Sequence, residues 1–347
     1  MLLARYPRVR LAHLPTPLEP MTNLSRHLGG PTLWVKRDDC TGLGGGGNKV
    51  RKLEFLLGEA LAQGKDVVLT CGALQSNHAR QTAAAAGKLG LECHLFLEHR
   101  GIRQTPDYMQ GGNVLLNRLF GAHQHLFARG TDLAAEMDRN AAALQQQGRK
   151  PYVIPLGGTN PAGDLGYVDC AMELTQQANQ QGIAIDQLLV GSGSGGTQAG
   201  LLAGLHAINR SIGVTGIAVS PKPDHVKLVH GVASDTLRHL GVSAPLALER
   251  VVVATEYLGA GYGQLTEGVV EAIELAAKLE GLLLDPVYTG KAMSGLIGMI
   301  RKGQFQRGNN LVFMHTGGLP GLFAYREDFA GWGPAILEDC FFQSQAP

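Results

Sequence analysis

No sign of charge prevails in this sequence. Lys and Arg together number 30 against 29 Asp and Glu, a formal net charge of +1 over 347 residues. A nucleic-acid or membrane-surface partner would require a basic excess, so neither is expected, and a small neutral or zwitterionic partner fits better. No 18 apolar residues run together without charge, and the N-terminal "MLLARYPRVRLAHLPTP" has no unbroken apolar core. Both absences argue against membrane helices and a secretory leader and place the chain in the cytoplasm. Cysteine offers no framework either. Cys40, Cys71, Cys93, Cys170 and Cys340 are five in number, widely spread and without a C-x-x-C pair, as expected in a reducing compartment without structural zinc. No His or carboxylate pair has ligand spacing, so no metal is expected. A fixed repeat and a low-complexity linker are also missing, which argues against a solenoid and against two halves joined by a tether.

What the chain has in excess is glycine, 48 residues, about twice the usual share. The glycines cluster after apolar runs: "DVVLTCGA", "ECHLFLE", "PYVIPLGG", "QLLVGSGSGG", "GVTGIAVS" and "NNLVFMHTGG" each lead into a turn and then an Ala- and Leu-rich amphipathic stretch. Alternating strands and helices specify an α/β fold with mostly parallel, doubly wound sheets. "SNHARQTAAAAGKLG" and "TQAGLLAGLHAI" have the small-residue surface of helices packed closely on a neighbour. Ligands in such folds bind beyond the carboxyl ends of the strands, where the following motifs all fall.

"GGGGNKVRKLEF", residues 44–55, delivers Lys49 to the first turn of a helix. It fails as a phosphate loop, because Val50 stands where a magnesium-binding hydroxyl is needed. Val50, Leu53, Leu57 and Leu61 form the apolar stripe, with Arg51, Lys52 and Glu54 outside it. The positive end of the helix dipole disfavours an ammonium at Lys49, and a deprotonated amine is the nucleophile that forms Schiff bases. In "VGSGSGGTQAGLLAGL" the amides of Ser194, Gly195, Gly196 and Thr197 converge at a helix start, a cup for a phosphate. Gly191, Gly193 and Gly196 also fit dinucleotide-fingerprint spacing, on its own a weak signal. "LTCGALQSNHARQT" brings Gln75, Ser76, Asn77 and His78 to another strand end, as helix caps or as carboxylate-binding groups. Tyr262 in "LGAGYGQ" and Tyr288 in "LLLDPVYTGKAMSGL" sit on turns as candidates for acid–base work. Thr289 follows Tyr288, and the last strand ends in His315, Thr316, Gly317 and Gly318.

Taken in order, "LPTPLEP", "KRDDCTGL", "GGNKVRKLEF", "QSNHARQTAAAA", "GSGSGGTQAG", "GYG", "LLLDPVYTGKAMSGLI" and "HTGG" resemble the fold-type II pyridoxal-phosphate enzymes. The branch is that of D-cysteine desulfhydrase, L-cysteate sulfo-lyase and 1-aminocyclopropane-1-carboxylate deaminase, and the likeness covers nearly the whole chain. It implies a tryptophan-synthase-β-like fold with a large domain from residues 1–50 and 165–347 and a small one from 51–164. Pyridoxal 5'-phosphate would lie between them, in a homodimer acting on a small amino acid. It also implies that Lys49 carries the cofactor and moves the α proton. Asn77 would meet the cofactor 3-hydroxyl and Ser194 to Thr197 its phosphate. Gln75, Ser76 and Asn77 would hold the substrate carboxylate, and Tyr262 and Tyr288 would line the reacting face. Thr289, or Thr316, would meet the pyridine nitrogen.

In the cyclopropane deaminases a glutamate follows the "DPVY" tyrosine; Thr289 here makes a weaker electron sink, which favours α,β-elimination of sulfide or sulfite over ring opening. "RLAHLPTPLEP", "WVKRDDCTGL" and "ATEYLGAGYG" resemble the cysteate lyases, whereas "DPVYTGKAM" resembles the desulfhydrases. Lys222, His225 and Lys227 of "SPKPDHVKLVHG" offer donors to a sulfonate. A non-catalytic nucleotide or phospho-effector module would use both glycine loops and leave Lys49 idle.

Overall fold

The computed structural model describes residues 3–329. Cys340 lies outside them, and Cys40, Cys71, Cys93 and Cys170 are unbridged. Among the described residues, strands β1 (Leu18–Pro20), β2 (Thr32–Arg37), β3 (Val67–Ala73), β4 (Glu92–His99), β5 (His123–Ala128), β6 (Pro151–Ile154), β7 (Gln187–Ser192), β8 (Gly213–Ala218), β9 (Val252–Ala254) and β10 (Asn310–His315) form two sheets. The larger runs β1-β2-β10-β7-β8-β9 and the smaller β5-β4-β3-β6. β1 lies antiparallel to β2, and the other pairings are parallel. No described helix is long and apolar enough to cross a membrane.

β3 is buried along its whole length because both of its faces are covered, as its unbroken apolar run requires. Strand alternation sends Val67, Leu69 and Cys71 toward Met137, Ala141 and Leu144 of the Leu133–Gln146 helix. Val68 points the other way, to Ala79 and Ala83 of the Asn77–Leu89 helix. β7 repeats the arrangement, with Leu188 and Val190 against Leu201 on one face and Leu189 against Met293 and Leu296 on the other. Small residues let two helices meet closely. A Cβ added to Gly200 would fall 2.6 Å from that of Tyr167, and one on Gly204 2.7 Å from that of Ala171, so the Gly196–Ala207 and Pro161–Gln181 helices touch nearly backbone to backbone.

The Lys49–Ala62 helix departs from the sequence expectation. Arg51, Lys52 and Glu54 are buried, not solvent-facing, because this helix is enclosed and each charge meets a partner from a distant segment. Arg51 holds Asp38 through Nε and Nη2, each at 2.9 Å, and Glu173 through Nη1 at 3.0 Å. Glu54 accepts from Arg8 Nε at 2.7 Å and from the Leu11 amide at 2.8 Å. This network fixes the helix that begins with Lys49.

Candidate active site

A cavity of about 490 Å³ opens where the strand ends of both sheets converge. Lys49, Ser76, Asn77, Ser194, Gly195, Thr197, Tyr262, Tyr288 and Thr316 all line it. The loop before Lys49 takes a path that only glycine follows easily: φ is 58°, 84°, 74° and 125° at Gly44 to Gly47. A Cβ at Gly46 would lie 1.9 Å from the Asp39 carbonyl oxygen, and one at Gly47 2.2 Å from Gln81 Nε2. Arg80 clamps this loop, donating to the carbonyls of Gly44 and Gly46, and reaches Asn113 Oδ1 at 2.7 Å.

Lys49 is partly accessible, through the cavity it lines, and its Nζ donates to the Gly157 carbonyl at 3.3 Å. Its pKa is lowered to about 7, first by burial and then by the nearby Lys52 ammonium, against an opposing pull from Asp164. Burial, and not the helix dipole expected from the sequence, is thus the chief cause. Lys52 was missed in the sequence, although i, i+3 spacing sets it beside Lys49 on one helix face. Its Nζ lies 2.8 Å from Asp164 Oδ1 and 3.1 Å from Thr159 Oγ1. The contact with Asp164 is an ion pair between two fully buried side chains. Burial raises the Asp164 pKa to about 6, the largest of several causes.

The amide cup sits at the start of the Gly196–Ala207 helix, whose first N–H groups have no intrahelical acceptor and no side-chain cap. Gly195 supplies the turn with φ of 86°. A Cβ on Gly196 would fall 2.3 Å from Lys52 Nζ, so a fixed cation backs the cup. Ser194 Oγ shares a hydrogen bond with Thr159 Oγ1 at 2.7 Å, and Asn48 Nδ2 donates to Thr197 Oγ1 at 3.2 Å. Ser76 caps the Asn77–Leu89 helix, accepting from the Ala79 amide at 3.1 Å, while also facing the cavity. Asn77 Oδ1 accepts from Asn113 Nδ2 at 2.9 Å, which leaves the Asn77 amide nitrogen as its free end among the described residues. The hydroxyls of Tyr262 and Tyr288 are 2.9 Å apart. Burial raises both phenol pKa values, so at neutral pH they are donors. Lys291 Nζ fixes the Tyr262 turn by donating to the Leu258 carbonyl at 2.7 Å and the Gly261 carbonyl at 2.5 Å.

Several expected residues lie elsewhere. Thr289 does not line the cavity; its hydroxyl donates to Asp285 Oδ1 at 2.7 Å and accepts from the Asp285 amide at 2.7 Å. The alternative, Thr316, does line it. Gln75 is buried with its amide bonded to the Tyr108 carbonyl and the Asn113 amide. His225 is buried against Ser192 Oγ at 3.0 Å, and Lys227 pairs with Asp224 outside the cavity. Of that loop, Lys222 alone among the three lines the cavity; Arg100 and Arg129, at the ends of β4 and β5, join it there.

The model of the family described as "Pyridoxal-phosphate dependent enzyme" matches residues 9–317. The chain belongs to this family. A D-cysteine desulfhydrase of Klebsiella pneumoniae subsp. pneumoniae is 44% identical over 324 residues, spanning 93% of this chain and 97% of that protein. A 1-aminocyclopropane-1-carboxylate deaminase of Burkholderia vietnamiensis is 43% identical over 335 residues, spanning 95% and 99%. A solved structure described as an ACC deaminase homologue superposes with a TM-score of 0.85 at 40% identity, covering 95% of this chain and 97% of that one. The chain is therefore a pyridoxal-phosphate enzyme and not a non-catalytic nucleotide module. Its residues fit the cofactor of this family. A cationically backed amide cup suits a phosphate, and an amine of lowered pKa that lines the cavity suits capture of an aldehyde. Gly157 keeps room between them, since a Cβ there would lie 2.8 Å from Ser194 Oγ and 3.5 Å from Lys49 Nζ.

Proposed function

We propose that this pyridoxal-phosphate enzyme eliminates a sulfur leaving group from the β carbon of a three-carbon amino acid, giving pyruvate and ammonia. The observation that carries this reading is the placement of one depressed amine, Lys49, and two neutral phenols in a single cavity with an anion cup. In this reading Ser194, Gly195, Gly196 and Thr197, with Lys52 behind them, would hold the cofactor phosphate. Asn77 would meet the 3-hydroxyl, Thr316 would meet the ring nitrogen edge, and Lys49 would carry the aldehyde carbon. The cofactor, when bound, supplies the electron sink for the pair left by the α proton. Lys49, with its pKa near 7, is the group that takes that proton at neutral pH. Ser76 and Asn77 orient the substrate carboxylate at the start of the Asn77–Leu89 helix, whose dipole favours an anion. Tyr262 and Tyr288 donate to the departing sulfur group. Residues 1–50 and 165–347 would form the large domain and 51–164 the small one.

The departing group is proposed to be sulfite, from L-cysteate, ahead of sulfide from D-cysteine. Arg100 supports this: its guanidinium carbon lies 4.6 Å from the Tyr262 ring centroid, and its Nε is bound to Glu98 at 2.7 Å. Both Nη groups have no protein partner among the described residues. A sulfonate's three oxygens match such a fork together with two phenol hydroxyls, whereas a thiol does not need them. A neutral hydroxyl at Thr316 gives a weaker sink than a carboxylate partner, adequate for expelling a good leaving group. Pyruvate release from L-cysteate, D-cysteine, L-cysteine and 1-aminocyclopropane-1-carboxylate by the purified holoenzyme tests both levels. Turnover of the cyclopropane acid alone would overturn the elimination reading; turnover of D-cysteine alone would overturn only the sulfonate preference.

A further inference from the structure

At the other end of the smaller sheet, away from the cavity, four side chains capable of binding transition metals share one face. Strand alternation puts Glu92, His94 and Phe96 of β4 on the same side, and the parallel register sets His123 of β5 beside His94 and His125 beside Phe96. Glu92 Oε1 lies 2.7 Å from His94 Nε2 and 4.0 Å from His123 Nε2. One ligand atom from each of Glu92, His94 and His123 falls within 4.8 Å of the others. The set is built across two strands, so no single segment of the sequence carries all three ligands.

We infer that Glu92, His94 and His123 form a site for a first-row divalent transition ion of the zinc type. Two imidazoles and one carboxylate select such an ion over magnesium or calcium, which prefer all-oxygen shells. The surrounding contacts orient the ligands. His94 Nδ1 is 3.0 Å from His125 Nε2; with the proton on His94 Nδ1 donated to that acceptor, the Nε2 lone pair is left for the ion. Arg149 Nη1 holds Glu92 Oε2 at 2.6 Å and so leaves Oε1 free, while Arg149 Nε, 3.0 Å from Asp66 Oδ2, shares its charge with a second carboxylate. Donors bound tetrahedrally at about 2.0–2.1 Å stand roughly 3.4 Å apart, between the two separations found here. His94 is buried and fixed. His123 does the adjusting: its side chain is 60% exposed, and its ring, now stacked on His94 at 4.7 Å with a 29° tilt, must turn to aim its nitrogen. Solvent completes the coordination on that exposed side.

The ion would pin β5, the edge strand, to β4. It takes no part in the elimination, because Glu98 and Arg100, which reach the cavity, lie four or more residues beyond the last ligand on β4, His94, about 13 Å or more away. Binding to the folded chain alone would raise its stability by mass action.

The test uses metal-stripped holoenzyme titrated with Zn²⁺ by calorimetry and with Co²⁺ by visible absorption, with Mg²⁺ as the hard-ion control. The expected result is about one equivalent of Zn²⁺ per chain, a tetrahedral Co²⁺ band and a rise in unfolding temperature that Mg²⁺ does not produce. His123→Ala and Glu92→Gln should each weaken Zn²⁺ binding by at least about tenfold. His123 is exposed, so its variant folds, and its metal-free unfolding temperature and elimination rate should match wild type. The inference is overturned if the wild-type protein binds no Zn²⁺ at about 100 μM, if both variants bind as wild type does, or if Mg²⁺ stabilises equally. None of these outcomes depends on the substrate.

Discussion

Lys52 Nζ stands 2.8 Å from Asp164 Oδ1, both side chains fully buried, one helical turn from Lys49. The ammonium of Lys52 lowers the Lys49 pKa and the carboxylate of Asp164 raises it, so this pair adjusts the amine while backing the phosphate cup. Removing Asp164 alone strands a buried cation. Asp164→Asn should therefore destabilise the fold by about 3–5 kcal/mol, with the Lys52→Met/Asp164→Asn double variant recovering much of that loss. Urea unfolding of the four proteins of the cycle measures the coupling. Lys52→Met should also erase most of the advantage of pyridoxal phosphate over pyridoxal in binding, a change of at least about tenfold.

Lys49 itself imposes a stability penalty that a pH series exposes. Its pKa is about 7 when folded, against 10.5 for the ordinary side chain. Between those values the unfolded chain holds the proton and the folded chain does not, so this group makes the apoprotein more stable as pH rises from about 7 toward 10.5. Below pH 7 its penalty is complete. Lys49→Met should thus make the apoprotein more stable at pH 7, on the order of a few kcal/mol, and by less at pH 10. The same change should cut elimination by more than about 10³-fold. Urea midpoints at the two pH values check the first part; an unchanged midpoint at pH 7 would contradict burial as the origin of the low pKa.

The fold and the parts of the cavity announced by glycine were legible in the sequence. Lys49, Ser76, Asn77, Ser194, Thr197 and Tyr262 stand at turns between apolar runs and helices, and turn chemistry fixes the backbone there before any tertiary contact forms. Side-chain direction was not legible. Thr289 and Gln75 occupy the same kinds of turn, yet each is pulled inward by a partner, Asp285 and Asn113. Arg51 and Lys52 read as outward because hydropathy treats charge as solvent-facing, and their partners Glu173 and Asp164 arrive from more than a hundred residues away. Arg100 could have been found: it follows the apolar run of β4 and precedes a glycine, the position from which the sheet feeds its cavity, whereas Arg129 follows β5, whose HQHLFA is half polar and gives a weaker signal.

Arg100 offers a direct measure of the proposed leaving group. A charged hydrogen bond contributes about 1.5–3 kcal/mol, so Arg100→Gln should lower kcat/KM for L-cysteate by roughly 10- to 150-fold while changing that for D-cysteine by less than about threefold. Tyr288→Phe, which removes a neutral donor at the cavity wall, should slow both substrates. Equal losses on both substrates for the arginine variant would show that Arg100 positions Tyr262, with whose ring it makes face contact, and does not read the β substituent.

The glycine loop ahead of Lys49 can be separated into conformation and crowding. Gly46 and Gly64 have similar positive φ values, 74° and 63°, but a Cβ on Gly46 would lie 1.9 Å from the Asp39 carbonyl oxygen, whereas one on Gly64 would meet nothing within 4 Å. Gly64→Ala should cost about 1 kcal/mol, the price of left-handed backbone for a residue with a side chain. Gly46→Ala adds a clash with main chain, which cannot rotate away as a side chain can. It should cost at least about 2 kcal/mol more, and because Gly46 stands three residues before Lys49, it should also weaken cofactor capture by the amine. Denaturant unfolding of both apoproteins gives the stability difference. Titration with pyridoxal phosphate, followed by its visible absorption, gives the second effect, which Gly64→Ala should not share. Equal destabilisation by the two substitutions would mean that the loop yields to the added methyl group, and that its four glycines serve backbone conformation alone.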